Sequence, residues 1–393
     1  MDYTSQDVAK KFRELFGGQP LVVRAPGRIN MIGEHTDYND GFVMPAAIDK
    51  DISFAIAASD GEKSGIYAMN YGEFFEVDIS DPQPVNHPKW ANYLLGVMRQ
   101  FIEQGFALKP FQCVFGGNIP AGAGLSSSAA LECGFAFALN TLHDFNLPRQ
   151  TMIRMAQWSE HHYVGVKCGI MDQFASMMGA DGKVIVLDCR SLDYHYAPVA
   201  LEGHAIVLCN TGVKHALVDS EYNTRRSECE QGVQLMKQHF PEINSLRDVT
   251  LGMLQQYQSD FPEKVYRRCL YIVQEIKRVQ EASNDLQQGD LVAFGKKMFE
   301  THDGLSKLYE VSCPELDFLV ALARRERGIL GSRMMGGGFG GCTINIIRDE
   351  DVQPFIARAG EAYQKAFNLE LIAYIVHVKS GVGLVGDSAA IGN

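Results

Sequence analysis

A chain of 393 residues with 46% apolar and 21% charged side chains exceeds one hydrophobic core and is too apolar for a disordered protein, so two globular domains are expected. No apolar run reaches membrane-spanning length, no stretch is of low complexity, and the polar opening from Met1 to Lys11 excludes an ordinary secretory signal. A formal net charge of −11 with scattered basic residues argues against a nucleic-acid partner, and nine cysteines without a Cys-x-x-Cys pair argue for reduced thiols in the cytoplasm, not disulfides or structural zinc.

In chain order, Leu21 to Val77 reads as short strands, with Val22, Ile52, Phe54, Ile56 and Ile66 set among turn signals at Asp40-Gly41 and Asp60-Gly61. Within it, the segment from Arg24 to Gly41 gathers Arg28, Glu34, His35, Asp37 and Tyr38 among turn formers. Carboxylates and an imidazole this close can grip several sugar hydroxyls. The same residues also suit a solvated turn, or a His-x-Asp metal site short of further ligands.

A helix follows at about Ala91 to Gln104, then a strand from Phe111 to Phe115 and a helix from Leu125 to Leu142. Between the last two lies Pro120-Ala-Gly-Ala-Gly-Leu-Ser-Ser-Ser-Ala129. A glycine loop opening a helix converges backbone N–H groups and the positive dipole end on one point, which suits a phosphate. A serine-capped helix start fits the same residues. No Gly-x-x-x-x-Gly-Lys-Ser/Thr run is present, so this is not an ordinary P-loop.

Helical periodicity resumes from Gln150 to Val164. Beyond it, Asp172 follows Gly169 at the end of an apolar stretch, as either a helix cap or a carboxylate placed to orient or accept a hydroxyl proton. His161 and His162, being adjacent, point to different helix faces and do not suggest a metal site. Strand candidates at Val184 to Leu187 and Ala205 to Asn210 complete an α+β first half. Helices at Glu263 to Leu286, Leu291 to Tyr309 and Glu315 to Arg327 follow. Met335-Gly-Gly-Gly-Phe-Gly-Gly-Cys342 then runs into a strand at Thr343 to Ile347, a helix from Val352 to Phe367 and a strand from Leu371 to Val378, the pattern of a second α/β sandwich.

Together these glycine-rich segments identify a family. The chain resembles the GHMP small-molecule kinases, and within them the galactokinase branch. Gly27-Arg-Ile-Asn-Met-Ile-Gly-Glu-His-Thr-Asp-Tyr-Asn39 is similar to that branch's signature, Pro120 to Ala129 to the family's phosphate loop, and Gly336 to Gly341 to its third motif. Cys168-Gly-Ile-Met-Asp-Gln173 is a fourth match, and the resemblance runs from about Val23 to Val378.

The resemblance implies an α+β, two-domain GHMP kinase fold with the site at the domain interface. Residues 1–205 would form a ribosomal S5 domain 2-like domain carrying the sugar signature, phosphate loop and Asp172. Residues 206–393 would form a ferredoxin-like α/β sandwich carrying the third glycine motif. The implied reaction is ATP-dependent phosphorylation of α-D-galactose at the anomeric hydroxyl, giving α-D-galactose 1-phosphate and ADP, the first committed step of galactose catabolism in the Leloir pathway. The implied enzyme is a cytoplasmic monomer that uses Mg²⁺ and has no nucleic-acid or membrane partner.

Carried over residue by residue, the resemblance makes Asp172 the proton acceptor and Arg28 its cationic neighbour. Glu34, His35, Thr36, Asp37, Gly169 and Tyr222 bind the sugar. Gly122, Ala123, Gly124, Leu125, Ser126, Ser127 and Ser128 wrap the ATP phosphates, Ser128 and Glu160 hold Mg²⁺, and Trp90 and Tyr93 lie near the adenine, although Trp90 suits a core position equally. Lys167 stands where family members often carry Pro, with an expected effect on sugar selectivity or loop stiffness. Two alternatives remain: a related 1-kinase acting on N-acetylgalactosamine or arabinose, and a galactose and ATP sensor without catalysis. Sensor relatives are damaged in the serine loop, which is intact here from Gly124 to Ala130.

Overall fold

The computed structural model describes residues 2–61, 63–120, 122–199, 201–213 and 218–386. Its first half runs α1 (Ser5–Phe16), β1 (Leu21–Asn30), β2 (Phe42–Val43), β3 (Pro45–Ala58), β4 (Ser64–Ala68), β5 (Glu73–Val77), α2 (Ala91–Glu103), β6 (Phe111–Gly117), α3 (Ser127–Leu142), α4 (Arg149–Ser159), α5 (Met171–Met178), β7 (Lys183–Asp188), β8 (Tyr194–Pro198) and β9 (His204–Asn210). The second half continues with α6 (Val218–Lys237), α7 (Leu251–Gln256), α8 (Glu263–Gln287), α9 (Leu291–Gly304), α10 (Pro314–Ala323), β10 (Ile329–Met334), β11 (Cys342–Arg348), α11 (Val352–Phe367), β12 (Ile372–Val376) and β13 (Gly383–Leu384).

A six-stranded sheet is ordered β13-β1-β3-β6-β4-β5, a four-stranded antiparallel sheet β10-β11-β9-β12, and a three-stranded sheet β2-β7-β8. The expected α+β layout with two sandwiched halves is observed. β13 returns from the C-terminal half to pair with β1 at Val23 and Arg24. α3 lies across the six-stranded sheet and is apolar almost all round, as a helix buried on every side must be. Gly134 makes room for it, since a Cβ there would stand 2.4 Å from the Phe54 ring.

A second apolar cluster joins the halves: Ile29, Met31 and Ile48 of the first sheet region pack with Leu208, Phe294 and Ile344 of the second. β1 therefore has one end in each core and carries the chemistry between them.

Three helices end earlier than their apolar period suggests. α4 and α9 pass into single π-helical turns, Glu160–Val164 and Leu305–Tyr309, which widen the spiral and redirect the side chains that follow. α10 stops at Ala323, short of the expected Arg327, because the chain must turn into β10, and Gly328 packs where a Cβ would meet the Asp351 carboxylate at 1.9 Å. β3 is one 14-residue strand in place of the short pieces expected.

Candidate active site

The centre of the site is built by an irregularity in β1. The register against β3 shifts between Pro26 and Arg28, and Gly27 sits there without a Cβ, which would stand 2.6 Å from the Leu125 carbonyl. The phosphate loop can therefore lie against the strand, with Arg28 N–H donating to that carbonyl at 3.1 Å. The Arg28 guanidinium then reaches Asp172 with two parallel bonds of 2.7 and 2.9 Å, and its third group donates to the Gly124 carbonyl at 2.6 Å. Burial opposes the Arg28 charge, but the adjacent Asp172 carboxylate outweighs it and raises the pKa. Asp172 is the second residue of α5, inside the helix and not its cap.

Ser126 departs from a capping role. It adopts a left-handed conformation, φ 56°, makes no capping bond to α3, and donates its hydroxyl to Asp172 at 2.5 Å. The helix begins one residue later, at Ser127.

The Glu34–Asp37 loop closes over the same point from the β1 side. Glu34 is buried, accepting from the Gly336 N–H at 2.7 Å and from Arg333 at 3.1 Å, with Asn30 on its other oxygen. Its carboxylate thereby ties the sugar signature to the third glycine motif. His35 adopts φ 64° and packs its ring between Tyr222 and Tyr309. Burial, with the Arg225 charge adding, pushes its pKa down to about 3, so the imidazole is neutral. The Thr36 hydroxyl serves the loop itself, facing the Gly33 and Phe42 carbonyls at 2.9 and 2.6 Å. Burial, reinforced by the nearby Asp172 charge, pushes Asp37 up to about 7 against the opposing N–H groups of Tyr38 and Met171. Gly169 is required by contact: a Cβ there would lie 1.8 Å from an Asp37 oxygen.

Lys167 is exposed, and the N–H that proline would lack donates to Asn223 on α6 at 3.2 Å, while its carbonyl accepts from Arg226 at 3.0 Å. The loop bearing Gly169 is thus tied to the helix bearing Tyr222. His161 and His162 turn apart, one to the Cys168 carbonyl and one to that of Trp158.

Gly122 and Gly124 adopt φ of 73° and 72°, open to glycine alone at low cost, while Ala121 lies outside the described residues. Gly336, at φ 82°, approaches the Gly124 carbonyl to within 3.4 Å of where a Cβ would be. The Ser128 hydroxyl meets Glu160, which burial and the Asp172 charge push up to about 7. Gln173 donates to Glu160 at 2.9 Å and more weakly to Glu132, whose other oxygen is buried with no hydrogen-bond partner among the described residues. Oxygen donors with surplus negative charge suit a hard divalent cation. A cavity of about 430 Å³ opens beside them, walled by Asn70, Tyr71, Trp90, Tyr93, Ser127 and Ser128. Trp90 is both wall and core: it is 6% exposed, packs edge-on against Phe115, and donates its indole N–H to Glu73 at 2.7 Å.

Arg333, Asn30, Glu132, Tyr309 and Asn70 escape sequence reasoning. Arg333 stands three residues before Gly336, and Glu132 one helical turn after Ser128; those spacings were the available signals. Tyr309 and Asn70 are brought in from distant segments and carried none.

Residues 10–58 match the galactokinase galactose-binding signature, residues 92–180 the N-terminal domain of GHMP kinases and residues 282–365 their C-terminal domain. A galactokinase of Thermotoga maritima is 39% identical over 362 residues, spanning 92% of this chain and 99% of its own length. One of a Roseiflexus species is 36% identical over 386 residues, spanning 98% of each. Among solved structures, Lactococcus lactis galactokinase complexed with galactose superposes with a TM-score of 0.93 at 33% identity, over 96% of this chain and 98% of that one. Methanococcus jannaschii mevalonate kinase, at a TM-score of 0.66 and 15% identity, shares the fold.

Proposed function

Because the chain belongs to the galactokinase family of the GHMP kinases, we infer that it transfers the γ-phosphoryl group of ATP to the anomeric hydroxyl of galactose, releasing galactose 1-phosphate and ADP. The observation that carries this reading is that the sugar signature and phosphate loop meet at the Arg28–Asp172 pair, with the third glycine motif held against both through Glu34 and Gly124.

Phosphoryl transfer asks chiefly for alignment and charge stabilisation. Asp172, fixed by Arg28 and Ser126, receives the hydroxyl hydrogen and points the hydroxyl oxygen at the phosphorus. Arg28 spreads positive charge from Asp172 toward the phosphate loop, where Gly122 to Ser128 and the N-terminus of α3 bind the phosphates. The sugar is gripped by Glu34, His35 and Asp37, with Gly169 and Tyr222 closing the pocket, while Thr36 holds the loop's shape. Trp90 and Tyr93 line the adenine cavity. Ser128 and Glu160 would hold Mg²⁺, which when bound neutralises phosphate charge.

Residues 1–205 and 206–393 are taken as the two domains, with β13 crossing back to the first. A monomer is taken as the working unit. Nine free cysteines, seven of them buried, support a reducing compartment such as the cytoplasm.

The test is a panel of sugars with MgATP, following ADP release. Galactose should give the highest kcat/KM; a higher value for N-acetylgalactosamine or arabinose would replace it as substrate.

A further inference from the structure

A buried chain of polar groups leads away from His35, and the groups behind the imidazole are used by none of the steps above. His35 Nδ1 lies 2.8 Å from the Tyr38 hydroxyl, that hydroxyl 2.7 Å from the Tyr309 hydroxyl, and the latter 3.2 Å from the Cys229 thiol. Tyr309 and Cys229 are sealed from solvent. Arg225 pins Tyr309 by donating to its carbonyl at 2.9 Å. The aromatic wedge around His35 fixes where the ring lies but not which nitrogen carries the proton.

Each link holds one hydrogen, so the chain has two possible senses. In one, Cys229 donates to Tyr309, Tyr309 to Tyr38, and Tyr38 to His35 Nδ1, leaving the proton of the imidazole on Nε2. In the other, His35 Nδ1–H donates to Tyr38 and every link reverses, leaving Nε2 bare. A phenol O–H is a better donor than a neutral imidazole N–H, and an imidazole nitrogen a better acceptor than a phenol oxygen, so the first sense makes the stronger bond at His35. The imidazole is neutral, since burial and the Arg225 charge hold its pKa down, so one nitrogen alone is protonated. Nε2 is buried and has no hydrogen-bond partner of good geometry among the described residues.

We propose that Tyr309, acting through Tyr38, is a positioning residue for sugar binding: the relay holds His35 as the Nε2–H tautomer and so presents a donor to a galactose hydroxyl oxygen. The proposal rests on the galactose reading for its second half and on the relay geometry and the neutral imidazole for its first.

Two measurements on the full-length protein test these halves separately. With ¹⁵N-labelled histidine, the His35 signals, identified by their loss in His35→Asn, should show a protonated Nε2 and an unprotonated Nδ1 in wild type. Tyr38→Phe should disturb that pattern. A protonated Nδ1 in wild type would overturn the relay whether or not galactose is the substrate. In kinetics, Tyr38→Phe should raise the galactose KM roughly three- to tenfold, the worth of one hydrogen bond, with the ATP KM and kcat within about twofold. Tyr309→Phe should shift the same constant by less, and the double variant should be no worse than Tyr38→Phe alone, because Tyr309 acts only through Tyr38. Additive effects, or a Tyr309→Phe enzyme with unchanged galactose KM and an unchanged tautomer, would overturn the positioning role. A wild-type protein inactive on galactose but showing the Nε2–H signal would sink the substrate and keep the relay.

Discussion

Arg333 and Glu34 form an ion pair of 3.1 Å in which both side chains are closed to solvent, joining β10 to the sugar loop across the two halves of the fold. Arg333 also donates to the carbonyls of Met31 and Met334 at 3.1 and 2.7 Å, and to that of Asn30, so every nitrogen of the guanidinium has a partner. The pair is a joint: Glu34 accepts from both Arg333 and the Gly336 N–H, so the sugar loop and the third glycine motif are held together.

Arg333→Met should accordingly lose about 3–5 kcal/mol of unfolding free energy, the cost of leaving a carboxylate buried without its counter-ion. Adding Glu34→Gln removes the stranded charge and should restore part of that stability in urea titrations without restoring activity. If the double variant is as unstable as the single, charge is not what Arg333 supplies.

Gly169→Ala offers a sharper probe, because the new methyl would occupy the space of the Asp37 carboxylate at 1.8 Å. Asp37 must move and lose its N–H partners, so the galactose KM should rise more than tenfold while ATP binding is kept, as judged by calorimetry with an ATP analogue. An alanine enzyme with a normal galactose KM would place the sugar elsewhere.

How far these joints could be read beforehand depends on distance along the chain. The contiguous motifs around Glu34, Ser126 and Asp172 are visible because their residue types are chemically unusual together, and the helix from Val352 to Phe367 is legible from its period. Arg333, Tyr309 and Glu132 are single polar residues within apolar segments, where the pattern announces only burial. What pairs them is the fold: the Glu34–Arg333 contact spans almost 300 positions. The serine-cap alternative fails at Ser126 for another reason, since a left-handed residue at a helix start directs its hydroxyl away from the helix and onto Asp172.

Asp37 and Glu160 both sit near pH 7, burial being the main cause and the Asp172 charge the next. A raised carboxyl pKa means the folded protein keeps protons that the unfolded chain has already released. Each group therefore contributes stability that is complete below about pH 4 and is lost as the pH climbs through 7. The Tm of the ligand-free protein should fall between about pH 5 and 7.5 and level off above that, and Asp37→Asn, with no charge to bury, should flatten the slope. An unchanged slope in the variant would assign the titration to another group.

Asp172→Asn separates chemistry from scaffolding. The amide oxygen keeps one acceptor for Arg28 but loses the charge that compensates a guanidinium only 4% exposed, so a lower Tm is expected along with lost activity. The two effects are told apart below the melting transition, where folded variant and wild type are compared directly. There kcat should drop by about 10²–10⁴, the usual contribution of a positioned proton acceptor, while galactose affinity measured calorimetrically stays within a few fold. Loss of binding in parallel with loss of turnover would make Asp172 a sugar anchor, and near-normal turnover would remove it from the reaction.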